Sequence, residues 1–130
     1  MRSQERLFIT TALIEVGAGL SLICLPALAI RLFLGVGEPS AEALIVGRLG
    51  GAGLLAIGVA CWLARDDFGS RAQHGVLWGM LTYNVGACVV LAFAGSMARM
   101  SGVALWPAVL LHAALTVWCA AHLRASGSNA

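Results

Sequence analysis

Long apolar runs alternate with short polar punctuation along the whole chain. The runs cover about Leu7–Leu25, Ala43–Ala64, His74–Gly95 and Val103–Leu123. Each approaches the ~20 residues a helix needs to cross the hydrocarbon core of a bilayer. The polar stretches between them are too short to form a water-soluble surface around such runs. The pattern therefore predicts an all-α protein, an integral membrane four-helix bundle forming a single transmembrane domain over residues 1–130.

The punctuation is readable in detail. Pro26 ends the first span, because proline cannot continue the helical hydrogen-bond ladder without a kink. The segment 26–34 then reads as a short amphipathic helix at the membrane interface, between the first and second spans, with Arg31 reaching up to water. Gly35–Ser40 is a turn by its glycines and proline. Ser40 is placed to cap the second span, with Glu42 in its first turn. Arg65–Arg71 and Ser96–Gly102 are polar connections, Pro107 lies near enough to the start of the fourth span to be tolerated, and 125–130 is expected to be a disordered tail. Ala27-Leu28-Ala29 has the form of a signal-peptide cleavage site. The run before it is too long for a signal sequence and contains Glu15, so it reads as a span.

Composition sharpens this picture. Apolar residues make up 60% of the chain and charged residues 11%, with a mean hydropathy of +0.90, far from soluble averages. A net charge of +2 is too small to point to nucleic acid. All 8 basic residues are arginine, which together with the alanine and glycine content points to a GC-rich bacterial genome. Arg2, Arg6, Arg65, Arg71 and Arg124 fall on one side of the spans and Arg31 and Arg99 on the other. The positive-inside rule then puts both termini in the cytoplasm, in a bacterial inner membrane. Trp62, Trp78 and Trp118 near one boundary and Trp106 near the other fit an interfacial anchoring belt. Cys24, Cys61, Cys88 and Cys119 show no ligand spacing and read as small buried residues.

Polar residues inside spans are the best pointers to function. Glu15, Arg48, Asn84 and His112 supply one such group per span. Counted from the outer boundary at about 1.5 Å per residue, Glu15 lies ~15 Å in, Arg48 ~8–10 Å, Asn84 ~18 Å and His112 ~12 Å. With the reach of an arginine, all four are expected to meet in one slab. Glu15 and Arg48 form the natural pair, since two unpaired charges cost roughly 5–7 kcal/mol and a bidentate pair offsets much of it. The pairing predicts that Glu15→Gln destabilises the protein. Thr116 extends the stripe of His112, and Tyr83 flanks Asn84. A fixed Glu15–Arg48 ion pair and an interhelical Asn84–His112 hydrogen bond would explain these residues structurally. The functional reading is a polar site of Glu15, Arg48, Tyr83, Asn84, His112 and Thr116 that binds a small lipophilic molecule, with His112 or Glu15 able to exchange a proton. His112, Cys119 and Cys88 have no spacing that fixes a metal, so none is assigned. The residues leave any cofactor unknown, and neither a nucleotide loop nor a hydrolase or metalloprotease motif is present. Glu15-Val-Gly-Ala recurs as Asn84-Val-Gly-Ala, as two duplicated hairpins would give.

The order of apolar helix, Pro26, short amphipathic segment ending in glycine, and glycine-rich GRLGGAGLLAIGVACWLA resembles the DoxX-like small four-helix bacterial membrane proteins over residues 13–64. That resemblance implies a four-helix bundle and an association with quinone-linked or other membrane redox systems; a redox or lipid-modifying component is the role expected of the lipophile-binding site. Glu15 in the first span is also similar in position to the essential glutamate of small multidrug-resistance exporters. This gives an alternative, a proton-coupled transporter using Glu15, although the exporters' aromatic signature in the second and third spans is not evident. A third class, an accessory subunit, would dock through the glycines of the second span and through Gly75 and Gly79, in a homo-oligomer or a larger membrane complex. An exposed glycine face without a cavity marks that third class, a closed pocket reaching His112 and Asn84 marks an enzyme, and a free Glu15 marks transport.

Overall fold

The computed structural model describes residues 3–127. They form α1 (Ser3–Cys24), α2 (Pro26–Leu34), α3 (Ala41–Ala64), α4 (Arg71–Ser96) and α5 (Leu105–Gly127). Four of these, α1, α3, α4 and α5, are long and apolar enough to cross a membrane. The spans match their apolar runs to within about a turn at every end. One end crosses a predicted boundary: α5 continues into the expected tail as far as Gly127. Arg124 in its last turn favours that continuation by complementing the negative end of the helix dipole. Residues 128–130 of the expected tail lie outside the described residues.

The distribution of side chains is inverted relative to a soluble bundle. Leu13, Leu49 and Phe93 lie largely on the surface, whereas Glu15, Gln73 and Asn84 are at most 1% exposed. Only a lipid solvent rewards that arrangement, because apolar side chains gain nothing by leaving it and polar ones do. The chain is a multi-pass membrane protein.

The four spans pack as two antiparallel pairs, α1 with α3 and α4 with α5. The first pair is set by glycines. A Cβ on Gly19 would sit 2.7 Å from the Gly51 carbonyl oxygen, and one on Gly51 would sit 2.7 Å from that of Gly19. The two backbones therefore touch, which is the use small residues find in membrane helices. Near the termini the pairs close on each other through a core that includes Leu7, Phe8, Cys61, Leu77, Met80 and Cys119. Gln73 seals this end. Its Nε2 donates to the Ala64 carbonyl at 2.9 Å, and its Oε1 accepts from the Gly69 amide at 3.1 Å and from Gln4 Nε2 at 3.3 Å. Ser70 caps α4 by accepting from the Gln73 amide. Ser40 caps α3 by accepting from the Ala43 amide, as its position before the second apolar run predicts.

At the opposite end α2 contacts α1, α3 and α5. Pro26 occupies its first position, and Gly35 ends it in the left-handed region at φ 68°, a conformation glycine adopts without a Cβ clash. The α4–α5 loop holds the helix down. The Ala104 amide donates to the Leu32 carbonyl at 2.9 Å, and Gly102 lies so close that a Cβ there would sit 2.3 Å from the same oxygen.

Candidate functional site: a chamber beneath α2

The pairs close at the terminal end and part toward α2, leaving a cavity of about 390 Å³ between them. Ile30, Phe33 and Leu34 of α2 form its roof, and most of its wall is aliphatic. Three polar side chains interrupt that wall: Glu15 from α1, Tyr83 from α4 and His112 from α5. The volume lies within the ~300–1,000 Å³ typical of small-molecule sites, which are likewise apolar with a few placed polar groups.

His112 is held in one orientation. Asn84 Nδ2 donates to the Met80 carbonyl one turn back at 2.8 Å, which turns its Oδ1 toward α5. That oxygen is 2.8 Å from His112 Nδ1. An amide oxygen can only accept, so Nδ1 carries the proton, and in the neutral ring Nε2 keeps its lone pair. No residue among those described bonds Nε2. Tyr83 stands edge-on to the imidazole, with ring centroids 5.5 Å apart at 83°, and its hydroxyl bonds none of the described residues either.

Glu15 is 1% exposed, and its Oε1 is buried without a hydrogen-bond partner. One turn earlier on the same face of α1, Thr11 Oγ1 is equally buried and unpartnered. Unsatisfied buried polar atoms are uncommon and ask for an explanation. Here Glu15 lines the chamber, and Thr11 lies one turn behind it on the same face of α1.

The expected Glu15–Arg48 pair does not form. Arg48 is exposed on α3, and its Nε donates to the Ile23 carbonyl at 3.3 Å, in the last turn of α1. The reason is register. The Gly19–Gly51 contact fixes α3 against α1 so that Arg48 lies level with Ile23. Glu15 is two turns further along, about 12 Å away at helical rise. Counting depth from the outer end of each span puts the two groups together only if those ends are level. In the folded chain α3 begins well beyond the end of α1, and Arg48 instead serves a carbonyl that the helix end leaves free.

Thr116 also leaves the site. Its hydroxyl donates to the His112 carbonyl at 2.8 Å within α5, the usual recourse of threonine inside a helix. Of the six residues read from the sequence, Glu15, Tyr83 and His112 line the chamber, Asn84 positions His112, and Arg48 and Thr116 do neither. Thr11 and Gln73 are buried polar residues that the structure adds to these six. Thr11 lies four residues before Glu15 and so shares its face, a signal available in the sequence. Gln73 sits at the polar edge of a run, where nothing local distinguishes it.

A second cavity of about 400 Å³ adjoins the chamber, and Leu22, Leu54 and Tyr83 line both. Gly50, Gly53 and Ile57 complete its α3 wall. The four described cysteines are free. Comparison with family models, with curated proteins and with solved structures finds no match to this chain.

Proposed function

We propose that the protein binds a small lipophilic molecule, drawn from the surrounding bilayer, in the chamber beneath α2. One observation carries the reading. A cavity of about 390 Å³ with aliphatic walls has Glu15, Tyr83 and His112 in its lining, and none of the three spends its free polar atoms on the protein. A residue set selected only for packing would bury those atoms against partners. The membrane redox role that the DoxX-like resemblance implies, or a lipid-modifying one, would use the same chamber. The reading places the protein in a bacterial inner membrane with both termini cytoplasmic, on the arginine asymmetry between its two ends.

Filling the chamber tests this. Ala87 lies in its wall, and Ala87→Phe should abolish retention of a lipophilic adduct by protein purified in mild detergent, as read by native mass spectrometry. Gly79→Ala adds its methyl where nothing lies within 4 Å and should retain the adduct. Equal retention by both variants would refute the proposal.

One further observation favours proton-coupled transport of a lipophile as a second reading. Arg48 is engaged at Ile23 and does not neutralise Glu15. Proteoliposomes carrying the wild type should then move a lipophilic cation against an imposed proton gradient, and Glu15→Gln should not.

A further inference from the structure

We infer that the chamber is built for a lipophile with an uncharged hydroxyl head, a long-chain or isoprenoid alcohol or a phenol. This rests on the lipophile-binding reading above and adds the chemistry of the head.

The polar groups in the wall define what a guest must offer. His112 Nδ1 is committed to Asn84 Oδ1 at 2.8 Å, so the neutral ring has only the Nε2 lone pair to give. The Glu15 carboxyl, with no counter-charge beside it, can donate as well as accept when it carries its proton, and its Oε1 has no partner. The Tyr83 hydroxyl can likewise donate or accept. The site thus presents one group that only accepts and two that can donate. A hydroxyl group complements that set, because it donates one proton and accepts through its two lone pairs. Its proton goes to His112 Nε2, and its lone pairs take the protons of Tyr83 and Glu15.

Other heads fit less well. A carboxylate or phosphate only accepts, so it would leave the His112 lone pair unserved and bring a net charge into the apolar wall. No arginine offsets this, since Arg48 is turned to the end of α1. A primary ammonium only donates and would leave the Tyr83 proton unserved. An alkane would serve none of the three. Unserved polar groups in a desolvated site discriminate strongly between guests of the same shape.

The body of the guest has a place as well. The three polar side chains share the cavity with the roof residues Ile30, Phe33 and Leu34, and the remaining wall is almost wholly aliphatic. A head held at Glu15, Tyr83 and His112 leaves the alkyl chain against that wall.

The test uses four probes that differ only in the head: dodecanol, dodecylammonium, dodecanoate and dodecane. Each is titrated against the full chain in lipid nanodiscs, with empty nanodiscs subtracted. Dodecanol should bind most tightly. Tyr83→Phe should weaken dodecanol by about three- to ten-fold, the worth of one hydrogen bond, and leave dodecane unchanged. Glu15→Gln keeps a donor and should preserve dodecanol binding. Tightest binding by dodecylammonium, lost in Glu15→Gln, would overturn the hydroxyl assignment and leave the chamber reading standing. Equal binding of dodecane and dodecanol would do the same. If no probe saturates the wild type, and Ala87→Phe behaves identically, both inferences fall.

Discussion

The contact between Gly19 and Gly51 fixes the register of α3 on α1, and hence which polar residues reach the chamber, so adding one methyl group there is the most direct perturbation. In Gly51→Ala the new Cβ would lie 2.7 Å from the Gly19 carbonyl oxygen and 2.8 Å from Leu22 Cβ. The first neighbour is backbone and cannot rotate away. The helices must part by about 0.7 Å to restore ordinary contact, on a steep part of the van der Waals wall. Overpacking of this kind costs about 1–3 kcal/mol. Alanine recovers ~1 kcal/mol through its better helix propensity, so the net loss is roughly 0–2 kcal/mol. Gly79→Ala makes the same chemical change in α4, where a Cβ meets nothing within 4 Å. It should be neutral or stabilising by up to ~1 kcal/mol. The difference between the two variants isolates the steric cost, about 1–3 kcal/mol, since propensity is common to both. Reversible unfolding in mixed micelles titrated with a denaturing detergent measures it. If the two variants agree within about 0.5 kcal/mol, the usual scatter for independent surface changes, the close approach of α1 and α3 is wrong.

Other outcomes follow from the same structure. Asn84→Leu removes the acceptor of His112 Nδ1, and a double-mutant cycle with His112→Leu should give a coupling of about 0.6–1.7 kcal/mol, the range for hydrogen bonds between membrane helices; zero coupling would mean the bond is absent. Glu15→Gln should leave stability unchanged or raise it, because Arg48 is not its partner and a lone ionisable group in hydrocarbon is costly; a loss above about 1 kcal/mol would restore the ion pair. Arg48→Met should cost about 0.5–1.5 kcal/mol through the Ile23 carbonyl, with no effect on dodecanol binding. Gly102→Ala drives a Cβ to within 2.3 Å of the Leu32 oxygen, so it should lift α2 from the bundle and raise amide exchange over residues 26–34; unchanged exchange would show that the loop does not hold the roof.

The sequence by itself determined the spans, the break at Pro26, the short helix 26–34 and the Ser40 cap. These depend on local physics, namely how much apolar surface a run carries and which residues serve a helix end. It also indicated that Asn84 and His112 belong together, because a buried amide and a buried imidazole in lipid each need a partner within the bundle. Pairing Glu15 with Arg48 rested on charge and on depth counted along single helices. Folding decided otherwise, because the relative height of two helices is set where their backbones touch, and Gly19 against Gly51 puts Arg48 level with Ile23. The chamber is a matter of tertiary structure altogether. It exists because two helix pairs close on Leu7, Phe8, Leu77 and Met80 at one end and are roofed by α2 at the other. Space left between elements is set by how they pack and cannot be read from any one of them.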